Sequence, residues 1–162
     1  MEFRARTPPE ETLDRLNQLL LDKSLSFQFV TLFLFRMTSQ GAGQFISAGH
    51  NPAYLFRAAT GQIEDLAASG AILGFFHTVS YDDGPLQLSS GDVLVVYSDG
   101  LTDAANGEEE MFGEERLLEI IRQQAPAGGA ALKETILKAI TEFTMGMPQT
   151  DDITFLVVEK YA

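Results

Sequence analysis

The chain has no cysteine, which excludes disulfides, thiolate catalysis and cysteine-based zinc sites. It has no apolar run near the roughly 18 residues of a membrane span. The opening "MEFRARTPPEE" has no apolar h-region, so nothing there suggests secretion, and a soluble cytoplasmic protein is expected. Positive charge is also scarce: 11 Lys and Arg stand against 23 Asp and Glu, a formal net charge of -12. Phosphate and anionic lipid surfaces need Lys and Arg, and no basic stripe with interleaved aromatics occurs. Neither nucleic acid nor a membrane surface is therefore expected as a partner. An acidic balance commonly serves solubility, and it also suits a cation site built from carboxylates.

What remains is a globular chain of 162 residues, long enough for a core and expected to form one domain. Thr7 as N-cap, Pro8 as first helical residue and Glu10 as capping-box partner predict a first helix, with Leu13, Leu16, Leu19 and Leu20 on one face. "FQFVTLFLFRM", residues 27–37, is apolar on both faces, as a strand covered on both sides would be. "GQFISAGHNPAYLFRA" reads as strand, tight turn near Gly49 to Pro52, and strand. "ATGQIEDL" turns into a short strand, while the Gly-punctuated "ASGAILGFF" has no clear period. "GPLQLSSGDVLVVYSD" gives a short strand, a Ser-Gly turn and a strand through Val93 to Tyr97.

Two helices follow. Leu117, Leu118, Ile120 and Ile121 form the apolar face of one, and Leu132, Ile136, Ile140 and Phe143 that of the next, which Gly146 and Pro148 stop. A last strand runs through "TDDITFLVVEKY". Hairpin-linked strands with helices at both ends predict an α+β fold with stacked sheets and helices outside.

Chemistry concentrates in two acidic stretches. Asp99-Gly100 follows one apolar strand, and Asp151-Asp152 precedes another. If the strands are antiparallel neighbours, these carboxylates meet at one sheet edge. Clustered carboxylates are costly unless a hard cation such as Mg²⁺ or Mn²⁺ neutralises them. Two such ions about 3.5–4 Å apart can clamp a phosphate and activate water for in-line attack. The plainer reading competes: Asp-Gly is a common turn, and acids at strand starts are often simply solvated.

The order "FVTLFLF", "SAGHNPAYL", "LSSGDVLVVYSDGLTDAANGEEEMFGEERL", "TDDITFLVV" resembles the SpoIIE-like branch of the PPM (2C-type) metal-dependent serine/threonine phosphatases. The resemblance implies an antiparallel β-sandwich flanked by helices and a binuclear Mn²⁺/Mg²⁺ centre. It implies hydrolysis of phosphoserine or phosphothreonine, with phosphorylated STAS-domain anti-anti-sigma proteins as substrates in sigma-factor regulation. By it, Asp99 and Asp151 are metal ligands, Gly100 gives tight backbone beside them, and Asp152 is an accessory ligand. Asp103 would help shape the loop.

The family also uses an earlier aspartate in an Asp-x-Ser-Gly-x-Gly motif, which bridges the metals. No such motif occurs in these 162 residues. The expectation is therefore the C-terminal two-thirds or so of a phosphatase domain, a piece or a degenerate form, with an incomplete site and little or no activity. Sheet edges left open by absent strands predict self-association, as homodimers or larger. The alternative function is a non-catalytic, phosphatase-like docking or sensing module. A purely structural domain would leave Asp99 and Asp151 apart.

His50, in "AGHNP", is expected to be a turn residue with its ring bonded to backbone, and His77 a surface residue. Glu108 to Glu110 read as a solvated loop. Ser98 has no base placed for nucleophilic chemistry.

Overall fold

A computed structural model of the chain describes residues 8–23, 29–67, 70–149 and 151–161. The elements in chain order are α1 (Pro9–Lys23), β1 (Leu32–Met37), β2 (Ala42–Ala48), β3 (Ala53–Phe56), β4 (Ile63–Leu66), β5 (Gly84–Gln87), β6 (Val93–Tyr97), α2 (Asp99–Thr102), α3 (Gly113–Gln124), α4 (Gly129–Thr144) and β7 (Phe155–Glu159). A 3₁₀ turn, Ala125–Ala127, separates α3 from α4. The fold is thus mixed α+β with two antiparallel sheets, as expected. No helix among the described residues is long and apolar enough to cross a membrane. Two compact units divide the chain: residues 1–50 with 67–87, and residues 51–66 with 88–162.

The first unit holds α1 and the sheet β1-β2-β5. The Thr12 amide bonds the Pro8 carbonyl, so Pro8 is the cap and Pro9 the first helical residue, one position later than expected. Thr7 lies outside the described residues. Leu13 is fully buried with Ile46, Ala48, Leu73 and Tyr81, and Leu16, Leu20, Leu32 and Leu34 pack against that cluster. Asn17, 2% exposed, ties α1 to the distant stretch ahead of β5: its amide donates to the Phe76 carbonyl and its oxygen accepts from the Gly74 amide.

β1 begins at Leu32, later than the apolar run suggested, and no residue in it is fully buried. It stands at the edge of its sheet, paired only with β2 among the described strands. Its side chains are half-buried or exposed, so full cover on both faces is not what this strand has. Phe33 finds its neighbour within the sheet, stacked on Phe45 at 5.6 Å.

The second unit holds the sheet β4-β3-β6-β7 with α2, α3 and α4. Its core joins Val93, Val95 and Tyr97 of β6 to Leu117 and Ile121 of α3 and Leu132, Ile136 and Ile140 of α4. These are the positions at helical spacing that the sequence marks. Each such side chain contributes about 1.5–3 kcal/mol on burial. α4 ends through Met145 in the left-handed region, with Gly146 also at positive φ.

Asp92, 2% exposed, accepts from the amides of Ala58 (2.9 Å) and Ser89 (3.0 Å) and from the Arg57 guanidinium (3.0 Å). Arg57 also makes a two-pronged pair with Glu64 at 2.7 Å. The pair holds the Glu64 carboxyl below its ordinary range, chiefly through these hydrogen bonds. Tyr54 and Tyr97 stack at 5.7 Å and are held protonated above the usual phenol range, first by burial.

Two of the expected turns join strands that do not pair. β2 and β3 lie in different sheets, as do β5 and β6. At the first, Gly49 takes φ +62° and its amide bonds the Gly70 carbonyl at 2.9 Å, so the chain leaves the sheet rather than folding back. The true hairpins are β1–β2 and β3–β4.

Candidate functional site

β6 and β7 run antiparallel, with Tyr97 opposite Phe155 at the end of the ladder. Ser98 extends it by one rung: its amide bonds the Thr154 carbonyl at 2.9 Å. Its hydroxyl accepts from the Thr154 amide at 3.1 Å and lies 3.3 Å from the carbonyl oxygens of Asp152 and Thr154. The Ser98 hydroxyl is thus a clamp between the strand ends, and sequence reading did not find that role.

The chain then turns at once into α2, a single helical turn where the sequence predicts a loop. The Asp103 amide and the Thr102 hydroxyl both bond the Asp99 carbonyl, at 2.8 Å and 3.0 Å. Asp103 does shape this turn, through its backbone at the C-cap. Asp99 Oδ1 accepts from the Gly100 amide at 3.0 Å. Gly100 is buried against the incoming strand: a Cβ there would lie 2.4 Å from the Asp152 carbonyl oxygen and 3.6 Å from the Asp151 carbonyl carbon. Only a residue without a side chain permits that approach.

On the other side, Asp151 Oδ1 accepts from the Asp152 amide at 2.7 Å, and the Gln149 side chain donates to the Asp151 carbonyl. The side chains of Asp99, Asp151 and Asp152 are all exposed. None of the three forms an ion pair with Lys, Arg or His among the described residues. Two stretches 52 positions apart, Asp99 to Asp151, are thereby delivered to the same end of one strand pair. Oxygen donors of this kind suit a hard divalent cation, which binds through one or two carboxylates with water for the rest. Among the described residues, no group of three or more His, Cys, Asp or Glu side chains is placed to hold a metal ion.

His50 belongs to the first unit, where its Nδ1 lies 3.1 Å from the Thr31 hydroxyl. The turn it sits in is not a hairpin, for the reason given above. His77 is exposed. Glu108 to Glu110 form an exposed loop organised by Asn106, whose side-chain oxygen accepts from the amides of Glu108 (2.9 Å) and Glu110 (3.0 Å).

Residues 2–161 match the family model described as Stage II sporulation protein E (SpoIIE). Protein IcfG of Synechocystis is 30% identical over 133 residues, 82% of this chain and 21% of that protein. The phosphoserine phosphatase RsbU of Bacillus subtilis is 24% identical over 154 residues, 94% of this chain and 45% of that protein. The chain therefore spans less than half the length of these relatives. Among solved structures, the SiaA PP2C domain of Pseudomonas aeruginosa superposes with a TM-score of 0.81 at 20% identity, over 93% of this chain and 60% of that one. With the motif order, the strand pairing and a family match over nearly its whole length, the chain belongs to the SpoIIE family of PPM-type serine/threonine phosphatases.

Proposed function

We propose that residues 1–162 form most of one catalytic domain of a metal-dependent phosphoserine/phosphothreonine protein phosphatase. Asp99 and Asp151 are its metal ligands, with Gly100 and Asp152 in lesser, supporting places. The observation that carries this reading is the seating of Gly100 against the Asp151–Asp152 backbone, which brings both acidic stretches to one edge. The donor set fits Mn²⁺ or Mg²⁺, because it consists of exposed carboxylates with no ion-paired Lys, Arg or His among the described residues. When bound, such an ion offsets charge at a phosphate ester and activates water. The chain's own part is to hold position. Ser98 locks the strand ends, α2 fixes Asp99, and Gly100 sets the approach of the two backbones.

The substrate class is a phosphorylated STAS-domain protein of sigma-factor regulation, acting in the cytoplasm, as the resemblance of the motif order implies; the relative RsbU is itself a phosphoserine phosphatase. An intact domain holds two ions. These 162 residues lack the Asp-x-Ser-Gly motif that would bridge them, so alone they turn over little or no phosphoserine substrate. Homodimers through open sheet edges belong to the same reading.

A second reading, a non-catalytic docking module, is favoured by the lack of a three-ligand group among the described residues. Mn²⁺ titration followed by electron paramagnetic resonance separates the two. Saturable binding that weakens at least tenfold in Asp99→Asn and in Asp151→Asn supports the metal edge. Binding indifferent to both substitutions refutes it. Mn²⁺-dependent turnover of a phosphoserine STAS protein by this chain, lost in Asp99→Asn, would overturn the expected inactivity.

A further inference from the structure

Beside the acidic edge, and wholly within the second unit, lies a pocket of about 370 Å³. Its walls are the C-terminal half of α4, the turn at 146–149, and α2. Gly100 and Asp151 line it, so the pocket adjoins one of the two candidate metal ligands. Its size is at the low end for ligand pockets, which run about 300–1,000 Å³.

The lining has polar residues, and the two threonine hydroxyl hydrogens and one Gln149 amide hydrogen are engaged within the chain. The Thr141 hydroxyl donates to the Leu137 carbonyl at 2.8 Å, the Thr144 hydroxyl to the Thr141 carbonyl at 3.4 Å, and the Gln149 amide to the Asp151 carbonyl. Leu137, Ile140, Met147 and Phe155 supply apolar surface. Asp151 is the one charged residue in the lining among the described residues. Leu137 and Met147 remain 46% and 48% exposed, apolar side chains that a partner would desolvate. Methionine adapts to differently shaped apolar partners.

Resting on the phosphatase reading, we propose that this pocket is a specificity pocket for an apolar side chain flanking the phosphoserine of the protein substrate. Two features select that occupant. The pocket shares Gly100 and Asp151 with the edge assigned to the metal, so a side chain close in sequence to the phosphoserine reaches it. Among the described residues its lining offers no cation for a second phosphate or a carboxylate, and the Thr141 and Thr144 hydroxyl hydrogens are already donated to backbone carbonyls. An aliphatic side chain gains from burial there, whereas glycine gains nothing.

Peptides with a central phosphoserine test this. One has leucine at a flanking position, placed in turn on each side; another has glycine throughout; a third has leucine but unphosphorylated serine. Binding is read in Mg²⁺ by the ¹³C-methyl signal of Met147, assigned with Met147→Leu. The leucine phosphopeptide is expected to bind about tenfold more tightly than the glycine one. The unphosphorylated leucine peptide still shifts Met147. Leu137→Glu, at an exposed helix position and with its helical circular dichroism intact, removes the leucine preference, as does Met147→Asp, in which binding is read instead by fluorescence anisotropy of labelled peptides.

No leucine preference, or one that both substitutions leave in place, overturns the proposal. A Met147 shift that grows with protein concentration and without peptide also overturns it, marking a contact between copies. The glycine phosphopeptide reads the phosphatase assignment separately. If its binding ignores phosphate and Mg²⁺ while the leucine preference persists, the metal edge fails and the apolar pocket stands.

Discussion

Replacing Gly100 by alanine sets two opposed effects against each other. Alanine is the better helix former, by up to about 1 kcal/mol per residue, and less is expected in a helix of one turn. Against this, the added Cβ would stand 2.4 Å from the Asp152 carbonyl oxygen and 3.1 Å from its carbon. Both atoms are backbone, so relief requires α2 or the Asp151–Asp152 stretch to move as a whole. Overpacking of this kind costs about 1–3 kcal/mol. The clash wins, and a net loss of about 1–2 kcal/mol is expected. For a chain of this size that lowers Tm by about 2–8 °C. Gly107→Ala is the control, since a Cβ there meets only the Met147 sulfur, at 3.9 Å. Thermal unfolding followed by circular dichroism compares the two. Mn²⁺ affinity is expected to drop in Gly100→Ala alone, because the shift separates Asp99 from Asp151. A Tm for Gly100→Ala equal to or above that of Gly107→Ala would refute the close approach, and with it the packing that joins the acidic stretches.

Asp92→Ala strips a buried carboxylate from two amides and Arg57, and should cost about 3 kcal/mol or more in urea unfolding; an unchanged urea midpoint would show that the network carries no stability. Glu159→Ala removes the acceptor for the Gly129 amide at the start of α4, 2.8 Å away, and about 1 kcal/mol of stability should go with it. Glu64 is held below its ordinary range by Arg57, so its contribution is present above the unfolded carboxyl value of about 4.3 and is lost as pH falls through the lower folded value. Arg57→Met should accordingly flatten the acid limb of a stability–pH curve, and identical limbs would exclude this pair as a source.

The helices were legible because their information is local. Leu117, Ile121, Leu132, Ile136 and Ile140 recur at helical spacing, and burial in the core follows from that spacing. The motif order is legible too, and it points to the phosphatase family from the sequence alone. Strand partners were not. A turn such as Gly49–Pro52 looks the same whether the next strand folds back or departs, and only the pairing of the Gly49 amide with Gly70 decided that it departs. β1 reads as a buried strand from its Phe and Leu alone, yet it lies at a sheet edge, because exposure depends on neighbours that residues 27–37 do not encode. The acidic site divides in the same way. Sequence alone placed Asp99 and Asp151 at the ends of two apolar runs, since an apolar run and its terminus are visible in one dimension. The antiparallel pairing of β6 with β7, the Ser98 clamp and the contact that only a glycine allows at position 100 bring the two stretches together. Tertiary structure decided these, because each depends on backbone atoms more than fifty residues apart.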